Sequence, residues 1–375
     1  MKASIIIPTK NGEKYLEEVL TAIVNQEVDF DYEIVVVDSG STDKTLEIIK
    51  RFQNNLICHC ERAPHFCKSA GRSVAIPNSE IIQGSRLPRQ PHCVRLPRND
   101  NRIQLKLLKI PPQDFNHGAT RNYAISQSNG EYLVMLTQDA TPASPRWLAS
   151  FIEPMERDSR LAGLFGKQIP RPDCNPIDKR DLENHFKINF GEKLFIQEIG
   201  ISDDAVQKHE ADKHRLNFFS NTNSCIRRSV WQKIPFQKLD MAEDQQWAHD
   251  VLFAGYKKGY APQAAVWHSH NYTPRQYLKR FVDEYRSHKI LQNYVGVKSW
   301  LKVLPSSLKL CYADCRYINR QSYSSLEKLK WFWFAWRLDF ARILGEYLGG
   351  HYEKMPVWLY QRISMQKRII AGKKI

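Results

Sequence analysis

The chain has 375 residues, of which 42% are hydrophobic and 25% are charged, so its composition is that of a globular protein and excludes disorder throughout. The length predicts one large domain or two smaller ones. The formal net charge of +15 is uneven: residues 271–375 hold 20 Lys and Arg against 7 Asp and Glu, and residues 54–103 hold 8 against 3. A basic region on a nearly neutral remainder indicates an anionic surface or partner.

The start of the chain predicts a strand and no export signal. Strands are expected at 4–8 and 32–37, because both are short apolar runs. Helices are expected at 16–24, where apolar residues recur at helical spacing, and from about 43 to 52. Alternating apolar strands and helices predict a parallel sheet with right-handed crossovers.

The regular pattern breaks at 54–103, where cysteines, prolines and arginines crowd together without periodicity. We interpret this segment as an irregular insertion and expect it to be disordered, since so long a structureless stretch is abnormal inside a compact domain. It precedes a third strand at 105–110 and so enters at the amino ends of the strands, away from the expected site.

The rest of the chain continues the α/β pattern. Strands are predicted at 132–137, 161–169, 218–226 and 265–268, and helices at 145–157, from 229 and at 243–257, whereas 171–215 is polar and stays unassigned. From Tyr272 the chain is expected to be mainly helical. The fold class is therefore α/β, with a mostly parallel sheet flanked by helices, a catalytic domain over 1–270 and a basic, aromatic-rich helical region over 271–375.

Two aspartates follow strands whose carboxyl ends should meet at one edge of the sheet, where ligands bind in open α/β folds. Asp38 can accept hydrogen bonds from a nucleotide base or a ribose hydroxyl. Its alternative role is a helix N-cap, for which Asp43 is better placed. Asp139 can hold Mg²⁺ or Mn²⁺ against a substrate phosphate. Its alternative is a turn aspartate before Pro142.

Three further positions suit the same chemistry. Arg121 lies in the first turns of a predicted helix, where a guanidinium favours a phosphate, although it could be a surface arginine. Asp244, with Glu243 second, could serve as general base, although acids suit a helix N-terminus in any case. His268, with His270 next, could join Asp139 as a metal ligand, unless both are polar strand-end residues.

These segments together resemble inverting nucleotide-sugar glycosyltransferases of family 2 with the GT-A fold. The resemblance is carried by residues 4–12 (SIIIPTKNG), 36–43 (VVDSGSTD), 118–122, 137–139 and 243–244. Residues 115–122 (FNHGATRN), 137–142 (TQDATP) and 268–272 (HSHNY) are most similar to bacterial rhamnosyltransferases of surface-polysaccharide synthesis. The likeness covers about 3–53 and 104–294 and leaves out the insertion.

The resemblance implies a role for each matching residue. It implies donor binding by Pro8, Asp38, Arg121, Gln138 and Asp139, metal binding by Asp139 with His268, catalysis by Asp244 with Glu243, and acceptor binding by Trp247 and Asn223. Many relatives carry Asp-x-Asp where this chain has Thr137-Gln138-Asp139. Because the first acid commonly faces the ribose, Thr137 suggests a deoxyribose donor such as dTDP-rhamnose.

The basic helical region suggests where the protein works. A basic, aromatic-dense helix over 328–349 can lie in a membrane interface, although it could instead pack on the core. The resemblance implies a saccharide acceptor, expected to be lipid-linked, and a cytoplasmic protein held peripherally on the inner, anionic membrane face. Three alternatives remain open: a family 2 transferase for another sugar, an inactive relic disrupted by the insertion, and a basic nucleic-acid-binding protein, for which no recognised motif is present.

Overall fold

The computed structural model describes residues 1–61, 102–200 and 204–365. The predicted insertion therefore falls mostly outside the described residues. Its first part continues the second helix, which runs to Glu61 instead of ending near Phe52.

The described residues form nine strands and thirteen α-helices. The strands are β1 Ala3–Thr9, β2 Tyr32–Asp38, β3 Ile103–Lys109, β4 Tyr132–Leu136, β5 Thr141–Pro142, β6 Leu161–Ile169, β7 Phe195–Gln197, β8 Asn223–Arg227 and β9 Lys257–Trp267. The helices are α1 Leu16–Val24, α2 Thr45–Glu61, α3 His117–Ser126, α4 Trp147–Arg157, α5 Pro176–Asn189, α6 Ala205–Ala211, α7 Lys213–Asn217, α8 Arg228–Trp231, α9 Glu243–Phe253, α10 Pro274–Gln292, α11 Val303–Asn319, α12 Ser325–Gly350 and α13 Val357–Ile363.

All nine strands belong to one sheet, in the order β3-β2-β1-β4-β8-β6-β9-β5, with β7 paired to β9. Strands β3, β2, β1 and β4 are mutually parallel, β8 is antiparallel to both of its neighbours, and β6 is parallel to β9. The predicted α/β class with a mostly parallel sheet is thus confirmed. The carboxyl ends of β1, β2 and β4 meet at one edge, as the sequence predicted.

The core consists of two apolar layers, one on each face of the sheet. Successive strand residues point to opposite faces, so Ile5 and Ile7 of β1 join one layer and Ile6 joins the other. Helices α1, α2 and α4 cover the first layer, and α3, α5 and α9 cover the second. Full burial of one such side chain stabilises the fold by about 1.5–3 kcal/mol, so β1 stabilises both layers.

The polar stretch that the sequence left unassigned contains α5. Asn175 caps this helix by accepting hydrogen bonds from the backbone N–H groups of Ile177 and Asp178, and Pro176 occupies its first position. These are ordinary helix start signals. The apolar periodicity of α5 is weak because only Pro176, Ile177 and Phe186 of this helix are buried.

The last strand is longer than predicted. Helix α9 ends at Phe253 and not near Lys257, because Gly255 takes a positive φ of 80° and turns the chain. Strand β9 then begins at Lys257 and pairs with β6, so it extends well before the predicted start at Ala265. In contrast, β8 begins at Asn223, five residues after the predicted strand start at Phe218.

The predicted helical region beyond Tyr272 is confirmed as α10 to α13. Glycines let α12 pack closely on α10, since a Cβ at Gly345 would lie 2.7 Å from the carbonyl oxygen of Leu278. Only some of the aromatic residues predicted to face a membrane are exposed. Trp331, Phe332 and Phe334 instead pack in an apolar cluster with Ile318, Ala335 and Leu338. Among the described helices, none is long and apolar enough to cross a bilayer.

Buried acids fasten the C-terminal helices to α5. The carboxylates of Asp314 on α11 and Asp339 on α12 are fully buried. Arg180 of α5 lies 2.8 Å from Asp314, and Arg342 of α12 pairs with Asp181 of α5. Burial and the neighbouring Asp339 raise the pKa of Asp314 to about 8.

Candidate active site

A cavity of about 520 Å³ brings together Asp139, Arg121, Glu243, Asp244 and His268. These residues come from the loop after β4, from α3, from the start of α9 and from the end of β9. They are widely separated in sequence, and the fold places them on one concave surface, as the sequence predicted for a single site.

One corner of the cavity is a cluster of potential metal ligands. The ligand atoms of Asp139, His268 and His270 all lie within 4.8 Å of one another. His268 Nε2 is 3.6 Å from Asp139 Oδ1, and His270 Nε2 is 3.9 Å from Asp139 Oδ2. His268 Nδ1 lies 2.9 Å from Gln168 Oε1, so a hydrogen bond there orients Nε2 towards Asp139. The structure thus places His270 beside the predicted pair.

The electrostatics of this cluster suit a cation. Burial would raise the pKa of Asp139, but His268 and His270 together hold it below its usual range. Burial lowers the pKa of His268 and, with His268 beside it, lowers the pKa of His270 to about 4. Near pH 7 the cluster therefore offers a carboxylate and two neutral imidazoles, which are the forms that ligate metals. The donor set fits a divalent cation.

A pair of acids lies at the start of α9, across the same cavity. Glu243 is buried, and its Oε1 accepts hydrogen bonds from Arg121 Nη1 at 3.0 Å and Asn221 Nδ2 at 3.1 Å. Asp244 accepts from the backbone N–H groups of Asn221 and Gln245, each at 2.9 Å. The preceding Ala242 has a positive φ of 65°, an uncommon conformation for a residue with a Cβ, which sets the direction from which these acids enter the cavity.

The pKa values of the two acids are shifted in opposite directions. Burial would raise the pKa of Glu243, but the Arg121 guanidinium and His117 hold it below its usual range. Burial and the adjacent Glu243 carboxylate raise the pKa of Asp244 to about 7. Neighbouring acids with pKa values pushed apart are typical of sites that divide roles between two groups. Arg121 stabilises the anionic form of Glu243, while Asp244 can exchange a proton near neutral pH.

Arg121 is held by the segment that carried the strongest resemblance. Asn116 caps α3 by accepting from the backbone N–H of Ala119. A Cβ at Gly118 would lie 2.1 Å from the carbonyl oxygen of Gln237, so glycine lets α3 approach the loop before α9. Asn122 donates to the carbonyl oxygen of Phe236. The segment thus docks α3 on that loop and aims Arg121 at Glu243, so its guanidinium is already ion-paired.

The predicted donor residues at the neighbouring strand ends have local partners. Asp38 is buried at the end of β2 and accepts hydrogen bonds from the backbone N–H groups of Gly40 and Ser41. Gln138 Oε1 accepts from the backbone N–H of Lys10 at 2.9 Å, which ties the loop after β4 to the end of β1, where Pro8 lies. These residues share the edge of the sheet with Asp139 but do not line the 520 Å³ cavity.

The two predicted acceptor residues are structural, and the assignment is corrected. Trp247 is 1% exposed, packs against Phe219 and Phe236, and donates from Nε1 to a backbone carbonyl. Asn223 is fully buried, accepts from Trp147 Nε1 and donates to the carbonyl oxygen of Ala264. A ligand would have to displace core packing to reach either side chain. The motif similarity predicted which residue types occupy these positions, but not that both side chains are buried.

One wall of the cavity was not predicted. Arg280, Glu284 and His288 recur at four-residue spacing on α10 and line the cavity with Tyr272. Glu284 lies 3.8 Å from both the Arg280 and the His288 side chains. The spacing of charged residues just after the His268–Tyr272 segment could have signalled this wall. The expected domain boundary at 270 and 271 thus runs through a single cavity.

The fold is that of a GT-A-type transferase. In overall fold the chain is similar to a mannosyltransferase from Pyrobaculum calidifontis solved with GDP-Man and Mn²⁺, with a TM-score of 0.53 and 15% identity, covering 94% of this chain and 88% of that one. At this identity the likeness establishes the GT-A-type fold alone, which confirms the predicted fold.

Sequence relatives identify the family. The signature of Glycosyl transferase family 2 matches residues 4–79, which reaches beyond the predicted start of the insertion. The chain is 30% identical to the O-antigen chain rhamnosyltransferase WbaN of Salmonella anatum, over 70% of this chain and 78% of the relative. It is 25% identical to the O-antigen chain rhamnosyltransferase RfbN of Salmonella typhimurium, over 98% of this chain and 95% of the relative. The chain belongs to glycosyltransferase family 2 and is a glycosyltransferase.

Proposed function

We propose that this protein is a metal-dependent, inverting glycosyltransferase that moves L-rhamnose from dTDP-rhamnose to a saccharide acceptor in cell-surface polysaccharide synthesis. One observation carries the proposal: the Asp139–His268–His270 cluster and the Asp244 carboxylate line the same cavity. A transferase needs a cation-binding group near the departing diphosphate and a base near the attacking hydroxyl. The cavity supplies both kinds of group from different elements.

Asp244 is the proposed general base. Its pKa of about 7 lies near the working pH, which is the optimum for a group that must take up a proton during the reaction. Asp244 removes the proton of the acceptor hydroxyl as that oxygen attacks the anomeric carbon from the face opposite the diphosphate. A single displacement of this kind inverts the anomeric configuration. Glu243 keeps its charge and, through Arg121 and Asn221, positions Asp244.

The cation would be held by Asp139 and His268, with His270 as a third ligand. When bound, a divalent cation supplies Lewis-acid stabilisation of charge on the departing diphosphate. Two imidazoles and one carboxylate favour Mn²⁺ over Mg²⁺, because Mg²⁺ prefers oxygen ligands and Mn²⁺ accepts nitrogen more readily.

Arg280 is proposed to contact the donor diphosphate, the role that the resemblance gave to Arg121. The Arg121 guanidinium is buried and paired with Glu243 at 3.0 Å. The Arg280 side chain is 46% exposed on the cavity wall, and its contact with Glu284 is a looser 3.8 Å. A guanidinium that opens onto a cavity can form bidentate hydrogen bonds to phosphate.

The donor assignment rests on Thr137 and on the relatives. Thr137 takes the place of the first acid of Asp-x-Asp and lines the cavity beside Asp139. A threonine there removes the carboxylate that would accept from a ribose 2′-hydroxyl, which a deoxyribose donor lacks. Both Salmonella relatives are rhamnosyltransferases by name. Together these points favour dTDP-rhamnose over a UDP-sugar, and another nucleotide sugar is the alternative.

The acceptor is proposed to be a lipid-linked saccharide at the cytoplasmic face of the cell membrane. The O-antigen chain named for the relatives and the basic C-terminal region support this proposal. Residues 271–375 would then serve both as a membrane-facing element and, through α10, as part of the catalytic unit.

Nucleotide release from a panel of nucleotide sugars tests the function. The purified protein with Mn²⁺ and an oligosaccharide acceptor should release dTDP from dTDP-rhamnose and little nucleotide from UDP-sugars. The Asp244→Asn variant should bind the donor but not transfer sugar. Preferred turnover of a UDP-sugar would contradict the donor assignment and leave the transferase assignment standing. Absence of turnover with every donor would favour the inactive relic.

A further inference from the structure

The outer surface of α11 carries an exposed stripe. Leu301, in the 3₁₀ turn that precedes α11, is followed by Leu304, Leu308 and Tyr312 at three- and four-residue spacing, so all four lie on one helical face. Leu301 is 83% exposed and Tyr312 is 70% exposed. The same spacing continues to Arg316 and Arg320. The stripe is thus apolar along most of its length and basic at its end.

The charge around this stripe is mainly positive. Residues 298–337 contain eight Lys and Arg and only two acids, Asp314 and Glu327. Asp314 is fully buried and faces away from the stripe, towards Arg180. Glu327 lies in the first turn of α12, where it completes a capping box with Ser324. The exposed charges of α11 are therefore all positive.

Helix α12, which packs beside α11, has an exposed face of the same composition. Leu326, Leu329 and Trp333 are exposed at helical spacing, and Trp333 is 63% exposed. Lys330 and Arg337 are exposed on the same helix. We call these outer surfaces of α11 and α12 the hairpin face. Leucine and tryptophan with flanking lysine and arginine are the composition of helices that lie in a membrane interface.

A groove of about 650 Å³ adjoins the hairpin face, between α5 and α11. Arg180, Arg316 and Arg320 line it with Asn184 and Tyr312, and Glu183 is its one acid. Arg180 is held by Asp181 and Asp314, at 2.9 and 2.8 Å. Across the described part of the chain, Arg316 and Arg320 form no ion pair and can receive an anion.

The groove connects with the catalytic cavity around α5. Asn184 lines both the groove and a second cavity of about 470 Å³, which also contains Leu182 and His185. Leu182 and His185 in turn line the catalytic cavity, as do His268 and His270. Helix α5 thus borders the groove, the second cavity and the catalytic cavity.

We propose that the hairpin face is a membrane-docking surface for an anionic phospholipid bilayer. The leucines, Tyr312 and Trp333 enter the interface, and Arg316 and Arg320 in the groove bind lipid phosphates. This surface replaces the aromatic face expected from sequence, since most of those aromatic residues pack inward. Docking here would hold the catalytic cavity beside the bilayer, where the saccharide of a lipid-linked acceptor emerges. This last step rests on the proposed function.

Vesicle co-sedimentation of the full chain tests this proposal. The vesicles are phosphatidylcholine alone or with 30% phosphatidylglycerol. Wild type should bind the anionic vesicles and release them in high salt. Leu304→Gln/Leu308→Gln and Arg316→Gln/Arg320→Gln should each lower the partition coefficient at least tenfold. No donor, acceptor or cation is present, so failure of the sugar-transfer proposal does not affect this measurement.

Controls separate docking from general effects. Val206→Gln removes an exposed apolar side chain on α6, and Arg157→Gln removes an exposed arginine on α4, which covers the opposite layer of the sheet. Both controls should bind like wild type, and melting temperatures should show that all variants fold. Equal binding by the hairpin variants and wild type would overturn the proposal. So would a wild-type dimer that the hairpin substitutions make monomeric, because the face would then join two copies.

Discussion

Replacing Asp244 by asparagine is the sharpest perturbation of the proposed chemistry. Asparagine keeps the shape of the side chain but cannot take up the hydroxyl proton. General base catalysis contributes about 10²–10⁴-fold, so we expect sugar transfer to fall by about 10³-fold while donor affinity stays within twofold. In wild type, the acidic limb of kcat/KM should have its midpoint near pH 7, the pKa of Asp244.

The same substitution should lower the stability of the folded protein at acidic pH and raise it at alkaline pH. The folded pKa of Asp244 is raised from 3.8 to about 7. Stability from its protonated form is therefore present below pH 3.8 and lost as pH rises through 7. A pKa raised by about three units corresponds to about 4 kcal/mol of stability. Asparagine avoids this loss but gives up one of two backbone hydrogen bonds, which costs about 1 kcal/mol at every pH.

Thermal melts of the two proteins at pH 4 and pH 8 measure the balance. With an unfolding entropy of about 2.1 cal/mol/K per residue, Asp244→Asn should melt about 1 °C below wild type at pH 4 and about 4 °C above it at pH 8. Titration of groups that do not interact with Asp244 cancels in the difference. A melting difference that is the same at both pH values, or near-normal transfer by the variant, would refute the reasoning.

Three further predictions concern the cluster, the α10 wall and the buried acids. His268→Gln should weaken Mn²⁺ binding at least tenfold by calorimetry, whereas the control His249→Gln, outside the cluster, should bind normally; equal affinities would exclude His268 as a ligand. Arg280→Gln should raise the donor KM about tenfold with little change in kcat, and Arg275→Gln on the same helix should not; unchanged KM would remove Arg280 from the donor site. Asp339→Asn removes the carboxylate that helps raise the pKa of Asp314 to about 8. Stability lost as pH rises through 8 should then be partly restored, so this variant should gain melting temperature over wild type at pH 8.5 and not at pH 5.

The fold was predictable where local pattern and tertiary role agree. Strands β1 and β2 are apolar on both faces because helices cover both, and such runs are recognised without knowledge of their neighbours. Helix α5 was missed because its core contacts are few and its charges pair with distant residues such as Asp314. Strand β9 was predicted too short because its first half contains Lys258, and a lysine is unusual in a buried strand. Here the Lys258 side chain is buried and donates hydrogen bonds to Gln197 and the carbonyl oxygen of Phe218.

The convergence of some site residues was predictable, whereas their pairing was not. Aspartates at strand ends must converge at one edge of a parallel sheet, so Asp38 and Asp139 could be placed from sequence. That Arg121 would neutralise Glu243, and that α10 would close the cavity with Arg280, depends on packing between segments far apart in the chain. The burial of Trp247 depends likewise on α9 packing against Phe219 and Phe236. Sequence similarity predicts the residue type at a position, whereas the exposure of its side chain depends on how the core packs.

The proposed sugar transfer requires a cation cluster and a general base in one cavity. The most direct measurement is product formation from dTDP-rhamnose and acceptor, with Mn²⁺, by wild type, Asp139→Asn and Asp244→Asn, with the anomeric configuration read by NMR. Wild type should form an inverted linkage, both variants should lose transfer, and Mn²⁺ binding should weaken only in Asp139→Asn. A retained configuration, or wild-type rates in either variant, would contradict the proposed sugar transfer.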